Sequence, residues 1–300
     1  MERLVFPTAL LGFTLNTFQT GQVSLERVEE LLARRPLISD PVEPEHLDLP
    51  VRGDLEARNL HIRYDGSDSD TLDGLNFRIA SGELVAVVGP VGCGKTTLAR
   101  ALGRMVEVPG GQLFLDGHDL TCLRLDDLRE QIALVPQEGY LLTSSLADNL
   151  RYGEPEAGLN RVEAAAQQAR LLADVRGFPD GMNTLVGERG ITLSGGQRQR
   201  TALGRALLLK APVLVLDDAL ASVDNNTAAE ILASVRRQTQ RTIVMISHQL
   251  SAAAACDRIL VLDRGRLVQQ GHHTDLIREQ GLYRSLWERE QAAERLESVA

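Results

Sequence analysis

From Gly89 to Thr97 the chain reads Gly-Pro-Val-Gly-Cys-Gly-Lys-Thr-Thr. Glycines at such spacing let backbone N–H groups close around phosphate oxygens, and a helix opening at the lysine turns its positive end toward them. In that arrangement Gly89, Pro90, Val91, Gly92, Cys93 and Gly94 form the cradle. Lys95 meets the β and γ phosphates, Thr96 offers its hydroxyl to Mg2+, and Thr97 reaches the α-phosphate of a nucleoside triphosphate. The pattern G-x-x-x-x-G-K-[ST] is complete here, and it follows an apolar strand-like run, Leu84 to Val88, as that chemistry requires.

A second set of residues lies far downstream. The run Val213-Leu214-Val215-Leu216-Asp217-Asp218 ends a buried strand in two carboxylates, and Asp217 can hold Mg2+ through its water shell. Read alone, an apolar strand ending in aspartate is as often structural; the phosphate loop upstream gives it a metal to hold. Between the two lies Leu193-Ser194-Gly195-Gly196-Gln197, where two glycines at a helix start expose further N–H groups as another anion site. One chain then owns two phosphate-binding elements. A lone phosphate-loop enzyme has no use for the second, so a second copy facing the first is implied.

These residues need elements to carry them. Leu84 to Val88, Val213 to Leu216, Thr242 to Ile246 and Arg258 to Leu262 are short continuous apolar runs, as parallel strands covered on both faces demand. Helical stretches at Thr96 to Gly103 and Asn225 to Arg237 separate several of them, so the expected core is a parallel sheet wrapped by helices. Leu55 to Tyr64 and Leu75 to Ile79, joined by the polar turn at residues 65–70, suggest antiparallel strands. A helical insert is expected in between. Asn160 and Glu163 form a capping-box pattern before a helix to about Ala173, and another helix should run from Gly195 to Leu209 until Pro212.

The bulk composition narrows the partners. Three hundred residues, 43% apolar and 24% charged, are enough for one large domain or two small ones. A net charge of −9 argues against a general nucleic-acid binder, which needs a basic footprint to displace counterions. Cys93, Cys122 and Cys256 are widely spaced and include no CxxC pair, which fits a reducing cytosol and suggests neither a disulfide framework nor a zinc site. At the N-terminus, Leu4 to Phe18 is mostly apolar but shorter than the roughly 20 residues that cross a bilayer. It reads as a signal peptide, which Glu2 in the n-region and the lack of a small-residue cleavage site oppose, as a buried or interfacial helix, or as the cytoplasmic end of a membrane helix. Ser24 is placed to cap a following helix carrying Leu25, Val28, Leu31 and Leu32, which Pro36 stops. Residues 36–50, rich in proline and acid, mark a boundary before a main domain starting near Val51.

Leu193 to Gln197 reads LSGGQ, and with the phosphate loop and Asp217 the chain resembles the nucleotide-binding domain of ABC transporters over about residues 51–290. The resemblance implies an α/β P-loop NTPase fold of RecA-like type, with an antiparallel β subdomain and an α-helical signature subdomain. It implies ATP and Mg2+ as ligands, and a head-to-tail dimer in which Ser194, Gly195, Gly196 and Gln197 close on the γ-phosphate held by the partner's P-loop. It also implies roles for single residues. Tyr64 would stack on adenine, although an aromatic at a strand end also serves as packing. Gln137, in Val135-Pro136-Gln137-Glu138, would touch Mg2+ and the attacking water. Gly187 and Glu188 would meet the membrane domain's coupling helices, and Asp224, in Ala221-Ser222-Val223-Asp224, would cross the dimer interface. His248 would contact the γ-phosphate and stabilise developing charge. His272 and His273, beside Thr274 at an expected helix start, read as capping and surface residues without chemistry.

One position departs from the family. The residue after Asp217 is normally glutamate, the base that polarises water; here it is Asp218, one methylene shorter. A misplacement of ~1 Å can cost ~10²-fold, so slow hydrolysis is expected at this chain's own site, with binding preserved. An intact LSGGQ beside this aspartate resembles one subunit of asymmetric, heterodimeric multidrug-type exporters. Phe6-Pro7, Leu11-Gly12 and Gln22 to Leu32 resemble the end of a last transmembrane helix and its connector, which makes residues 1–35 the remnant of a membrane domain, 36–50 a linker, 51–290 the ATP-binding domain and 291–300 a tail. On that reading the chain is part of a longer half-transporter at the inner or plasma membrane, its ATP-binding domain on the cytoplasmic face. It would pair with a second subunit, a homodimer being the other option, and act on an unknown cargo and on no nucleic acid. A regulatory ATP clamp with little turnover is the alternative, and a soluble ABC ATPase of DNA repair or translation is a third. Only 98 residues lie between Lys95 and Ser194, too few for the coiled coil of the repair enzymes.

Overall fold

The computed structural model describes residues 2–34, 36–187, 193–221, 223, 225–238 and 240–297. The chain forms two units, Met1–Ser39 and Asp40–Ala300. The first is one continuous helix, α1 (Glu2–Ala33), with Pro7 inside it. Two elements meeting at a Ser24 cap were expected; the hydroxyl of Ser24 instead donates to the Thr20 carbonyl, as those of Thr14, Thr17 and Thr20 do to Leu10, Phe13 and Asn16. Inside a continuous helix the N–H groups that an N-cap would serve are already bonded to carbonyls one turn earlier, so Ser24 has none to cap. Val5, Phe6, Leu10, Leu11, Phe13 and Phe18 are exposed along it. Among the described residues, no helix is long and apolar enough to cross a membrane.

The second unit is built on two sheets. β1 (Leu55–Ile62) and β2 (Leu72–Ile79) pair antiparallel around the polar turn, and β4 (Leu113–Leu115) and β5 (His118–Asp119) complete a sheet of order β2-β1-β4-β5. The larger sheet joins β3 (Leu84–Val88), β6 (Ile132–Val135), β7 (Val213–Asp217), β8 (Thr242–Ile246), β9 (Arg258–Asp263) and β10 (Arg266–Gly271) in the order β10-β9-β3-β8-β7-β6. All pairs are parallel except the first, where β10 runs antiparallel to β9. The expected parallel core is therefore present, with two members that continuous apolar runs did not reveal. β6 is four residues long and β10 alternates between exposed and half-buried positions, as an edge strand does.

Alternation divides each apolar run between two cores. Leu84, Ala86, Val88, Leu214, Leu216, Ile243 and Met245 face one, with α7 (Gly195–Leu208), α8 (Asn225–Gln238) and α9 (Leu250–Ala253) over it. Val85, Val87, Val213, Val215, Val244 and Ile246 face the other, together with α2 (Lys95–Leu102) and the smaller sheet. α3 (Leu125–Gln131) leads into β6, and α10 (His273–Leu276) and α11 (Leu282–Glu297) close the unit.

The helical insert has a core of its own, drawn from α4 (Leu146–Leu150), α5 (Leu159–Gln168), α6 (Leu172–Val175) and Leu193 and Leu208 at the ends of α7. α5 starts one residue before Asn160, behind Gly158, which has no side-chain cap, and it stops at Gln168. The Asn160–Glu163 capping box is thus not formed. Arg170 at φ 56° turns the chain into the separate α6.

Candidate functional site

Gly89 to Gly94 links the end of β3 to the start of α2, and its glycines hold left-handed backbone at Gly89, Gly92 and Gly94. A Cβ on Gly89 would lie 2.1 Å from the Leu262 carbonyl oxygen, and one on Gly94 2.6 Å from Leu72 Cδ2, so the loop cannot keep its path with larger residues there. Lys95 is buried, and its ammonium donates to the carbonyls of Gly89 (2.8 Å) and Pro90 (2.9 Å) with Cys93 Sγ 3.7 Å away. The charge therefore sits inside the loop where phosphate oxygens would enter. Burial pushes the Cys93 thiol up, so this residue packs rather than reacts.

Thr96 Oγ1 donates to Asp217 Oδ1 at 3.2 Å, which joins the phosphate loop to the end of β7. Burial raises the Asp217 carboxyl above the usual carboxylate range and the Asp218 charge adds to it; the Thr96 hydrogen bond, Arg100 and Lys95 oppose. Two hard oxygens side by side, one on a carboxylate that burial has left short of countercharge, fit a divalent cation such as Mg2+.

Asp218 follows at φ 50°, a conformation that aspartate tolerates better than longer side chains do. Its N–H donates to the Ile246 carbonyl at 2.9 Å, and its Oδ1 accepts from the His248 N–H at 3.4 Å. Ser247, at the end of β8, donates its N–H to the Val87 carbonyl at 3.2 Å. Lys95, Thr96, Asp217, Asp218 and His248 are thus brought together at the carboxyl ends of β3, β7 and β8, where open parallel sheets bind ligands. Gly89, Pro90, Val91 and His248 line one cavity of about 560 Å³. Tyr64 stands beside α2, 38% exposed, its hydroxyl 3.3 Å from that of Thr97.

Gln137 lies elsewhere. It is exposed beyond β6 and lines a separate cavity with Glu138, Tyr140 and, from α7, Gly195 and Arg198. Ser194 is the N-cap of α7 in a closed capping box: its Oγ accepts from the Gln197 N–H (3.2 Å) and Gln197 Oε1 accepts from the Ser194 N–H (2.9 Å). The Gln197 amide also donates to Asp174 Oδ1 (3.1 Å), and Arg200 pairs with the same carboxylate. Sequence reasoning missed Asp174, since nothing in the spacing ties it to a helix that begins 21 positions later. With the Gln197 side chain folded back, the N–H groups of Gly195 and Gly196 are what this helix start offers to an anion. Asp224 and Glu188 lie outside the described residues; Gly187 is described and half-buried. His272 caps α10 through Nδ1 as expected, while His273 Nδ1 meets the buried Tyr283 hydroxyl at 2.8 Å.

The family model of the ABC transporter matches residues 72–221, half of the chain, from β2 through the phosphate loop and signature to the residues after Asp218. The chain belongs to the ABC transporter family. It is an ABC-type ATP-binding and ATPase domain, and the P-loop NTPase fold with its two subdomains is the one the resemblance implied. Among curated proteins it is 37% identical over 298 residues to an ATM1-type heavy metal exporter of Novosphingobium aromaticivorans, covering 99% of this chain and 48% of that one. It is 40% identical over 284 residues to an ATP-dependent lipid A-core flippase of Aromatoleum aromaticum (93% and 46%). A probable multidrug resistance ABC transporter ATP-binding/permease protein of Bacillus subtilis is 35% identical over 289 residues (96% and 49%). Among solved structures, a bacterial Atm1-family ABC exporter with ATP bound superimposes with a TM-score of 0.86 at 36% identity, over 96% of this chain and 50% of that one. The chain spans about half the length of the curated relatives it matches.

Proposed function

We propose that this chain is the ATP-driven arm of an exporter half-transporter, working as one face of a head-to-tail dimer. One observation carries the reading: the P-loop and the start of the signature helix, both suited to phosphate, line different cavities of the same chain. Lys95 would leave the carbonyls of Gly89 and Pro90 for the β and γ phosphates, Tyr64 would stack on adenine, and Gly195 and Gly196 would present their N–H groups to the γ-phosphate of the partner's nucleotide. Thr96 and Asp217 would hold Mg2+, with Gln137 joining them on closure; bound there, the ion neutralises charge on the β and γ oxygens. Asp218 would orient the attacking water and His248 would stabilise charge on the γ-phosphate. Residues 1–35 would be the end of a membrane helix and its connector, 36–50 a linker, 51–290 the motor domain on the cytoplasmic face and 291–300 a tail.

The short side chain of Asp218 makes this chain's own site slow, while its signature completes a second site on a partner that carries glutamate. A heterodimer follows from that asymmetry. The test is single-turnover ATP hydrolysis by the assembled dimer, with Asp218→Glu alongside. An acceleration of about tenfold or more supports a site limited by carboxylate reach. A second reading, a regulatory clamp with little turnover, draws on the left-handed backbone of Asp218 and its bond to the His248 N–H. It predicts nucleotide-dependent closure with no acceleration in the glutamate variant, and that outcome would overturn the first reading.

A further inference from the structure

α9 begins directly behind His248, and its N-cap residue, Gln249, makes no side-chain capping bond. A helix start without a local cap leaves N–H groups that need acceptors, and burial makes the lack costly. Both are supplied from α11. Glu290 accepts the Leu250 N–H on Oε2 at 2.8 Å and the Ser251 N–H on Oε1 at 3.1 Å, one carboxylate oxygen for each. Glu290 also lines the cavity shared by Gly89, Pro90 and His248.

The loop carrying His248 is therefore gripped at both ends. Upstream, Ser247 is tied to Val87 and the His248 N–H to Asp218; downstream, the first turn of α9 is tied to Glu290. α11 is itself fixed. Tyr283 is fully buried and bonded to His273, its N–H donates to Gln269 Oε1 at 3.0 Å, and Leu282, Leu286 and Trp287 pack on the main core. A displacement of α11 would act on α9 through two charge-assisted bonds and move the residue two positions before it.

We infer that Glu290 is a positioning residue that sets His248 against the P-loop, so that the C-terminal helix governs turnover through the His248 loop. The inference rests on the proposed role of His248 at the γ-phosphate. Glu290→Ala, Glu290→Gln and His248→Ala, with the double variant and a Glu288→Gln control, test it in the full chain by steady-state ATPase and by the imidazole resonances of His248. Glu290→Ala is expected to shift the His248 ring signals while leaving those of His61 and His118, on the smaller sheet, in place. It should lower kcat by about tenfold with KM for ATP within about twofold. Glu290→Gln keeps one acceptor oxygen and should recover part of the loss; Glu288→Gln, at an exposed pair with Arg284, should change nothing. In a His248→Ala background, Glu290→Ala should have no further effect on kcat. Unmoved His248 signals, or an equal loss of kcat in the His248→Ala background, would overturn the inference. If His248→Ala alone leaves kcat unchanged, the γ-phosphate role of His248 fails, and the ring signals still decide whether Glu290 positions it.

Discussion

The P-loop and the signature helix both present N–H groups at a helix start, yet their side chains behave in opposite ways. At the P-loop they converge across the sheet: Lys95 turns into the loop, Thr96 reaches Asp217, and Asp218 reaches the segment of His248. At the signature they fold back. Ser194 and Gln197 satisfy each other, and Asp174 holds the rest of the glutamine amide. One element is a cluster of polar groups assembled by its own chain from three strand ends; the other is a closed cap that offers backbone N–H groups. Substitutions at the first should therefore act on nucleotide within one chain, and substitutions at the second on association and closure.

The largest expected effect is at Lys95. Removing a buried ammonium aimed into the phosphate cradle, Lys95→Ala, should weaken ATP binding to the chain by about 100-fold or more, read by fluorescence titration with a labelled nucleotide. Asp217→Asn comes next. It should leave ATP binding without metal unchanged and reduce the gain from Mg2+ by about tenfold to hundredfold, a size common for groups that orient a metal. Equal losses with and without metal would mean that Asp217 supports the loop rather than the ion.

A smaller effect concerns pH. Because burial raises the Asp217 carboxyl, proton and cation compete there at a higher pH than at an ordinary aspartate. Mg2+-dependent ATP affinity should therefore fall as the solution is acidified, beginning above the usual carboxylate range, whereas metal-free affinity should not follow that curve. Isothermal titration across that range checks the sign. The smallest effect is at the signature: Ser194→Ala should cost about 1 kcal/mol of stability through the lost cap, leave ATP binding by the single chain within about twofold, and weaken ATP-dependent dimerisation by only about a few-fold, a loss that saturating nucleotide overcomes. A large loss of ATP binding by the monomeric variant would erase the contrast between the two regions.

How much of this was legible in the sequence follows from the range of the interactions. The P-loop, the glycines at the start of the signature helix and four parallel strands are local patterns, and Gly89 to Thr97, Ser194 to Gln197 and Val213 to Asp217 could be read directly; the box that Ser194 and Gln197 close was not. β6 and β10 escaped because a four-residue run and an exposed edge carry little apolar signal. The Asn160–Glu163 box had the right letters, but the chain enters α5 behind Gly158 and does not use them. Ser24 misled in the same way, since a serine inside a helix can bond back to the carbonyl four residues earlier instead of opening a new helix. Asp174 and Glu290 were invisible for a different reason. Each serves a segment brought near only by folding, and no spacing rule connects Glu290 to Leu250 or Asp174 to Gln197.

The claim on which the account depends is that nucleotide lies between the P-loop of one protomer and the signature of the other. Val91 is 89% exposed at the P-loop tip and Ser194 is exposed at its helix start, so cysteines can be placed at both, Val91→Cys in one protomer and Ser194→Cys in the other. Oxidative cross-linking of that mixture, with this chain as either protomer, should give an inter-chain disulfide that appears with Mg2+ and a non-hydrolysable ATP analogue and is absent without nucleotide. If the nucleotide-saturated mixture stays uncross-linked and sediments as monomers, whether this chain is paired with itself or with a candidate second subunit, the sandwich is contradicted.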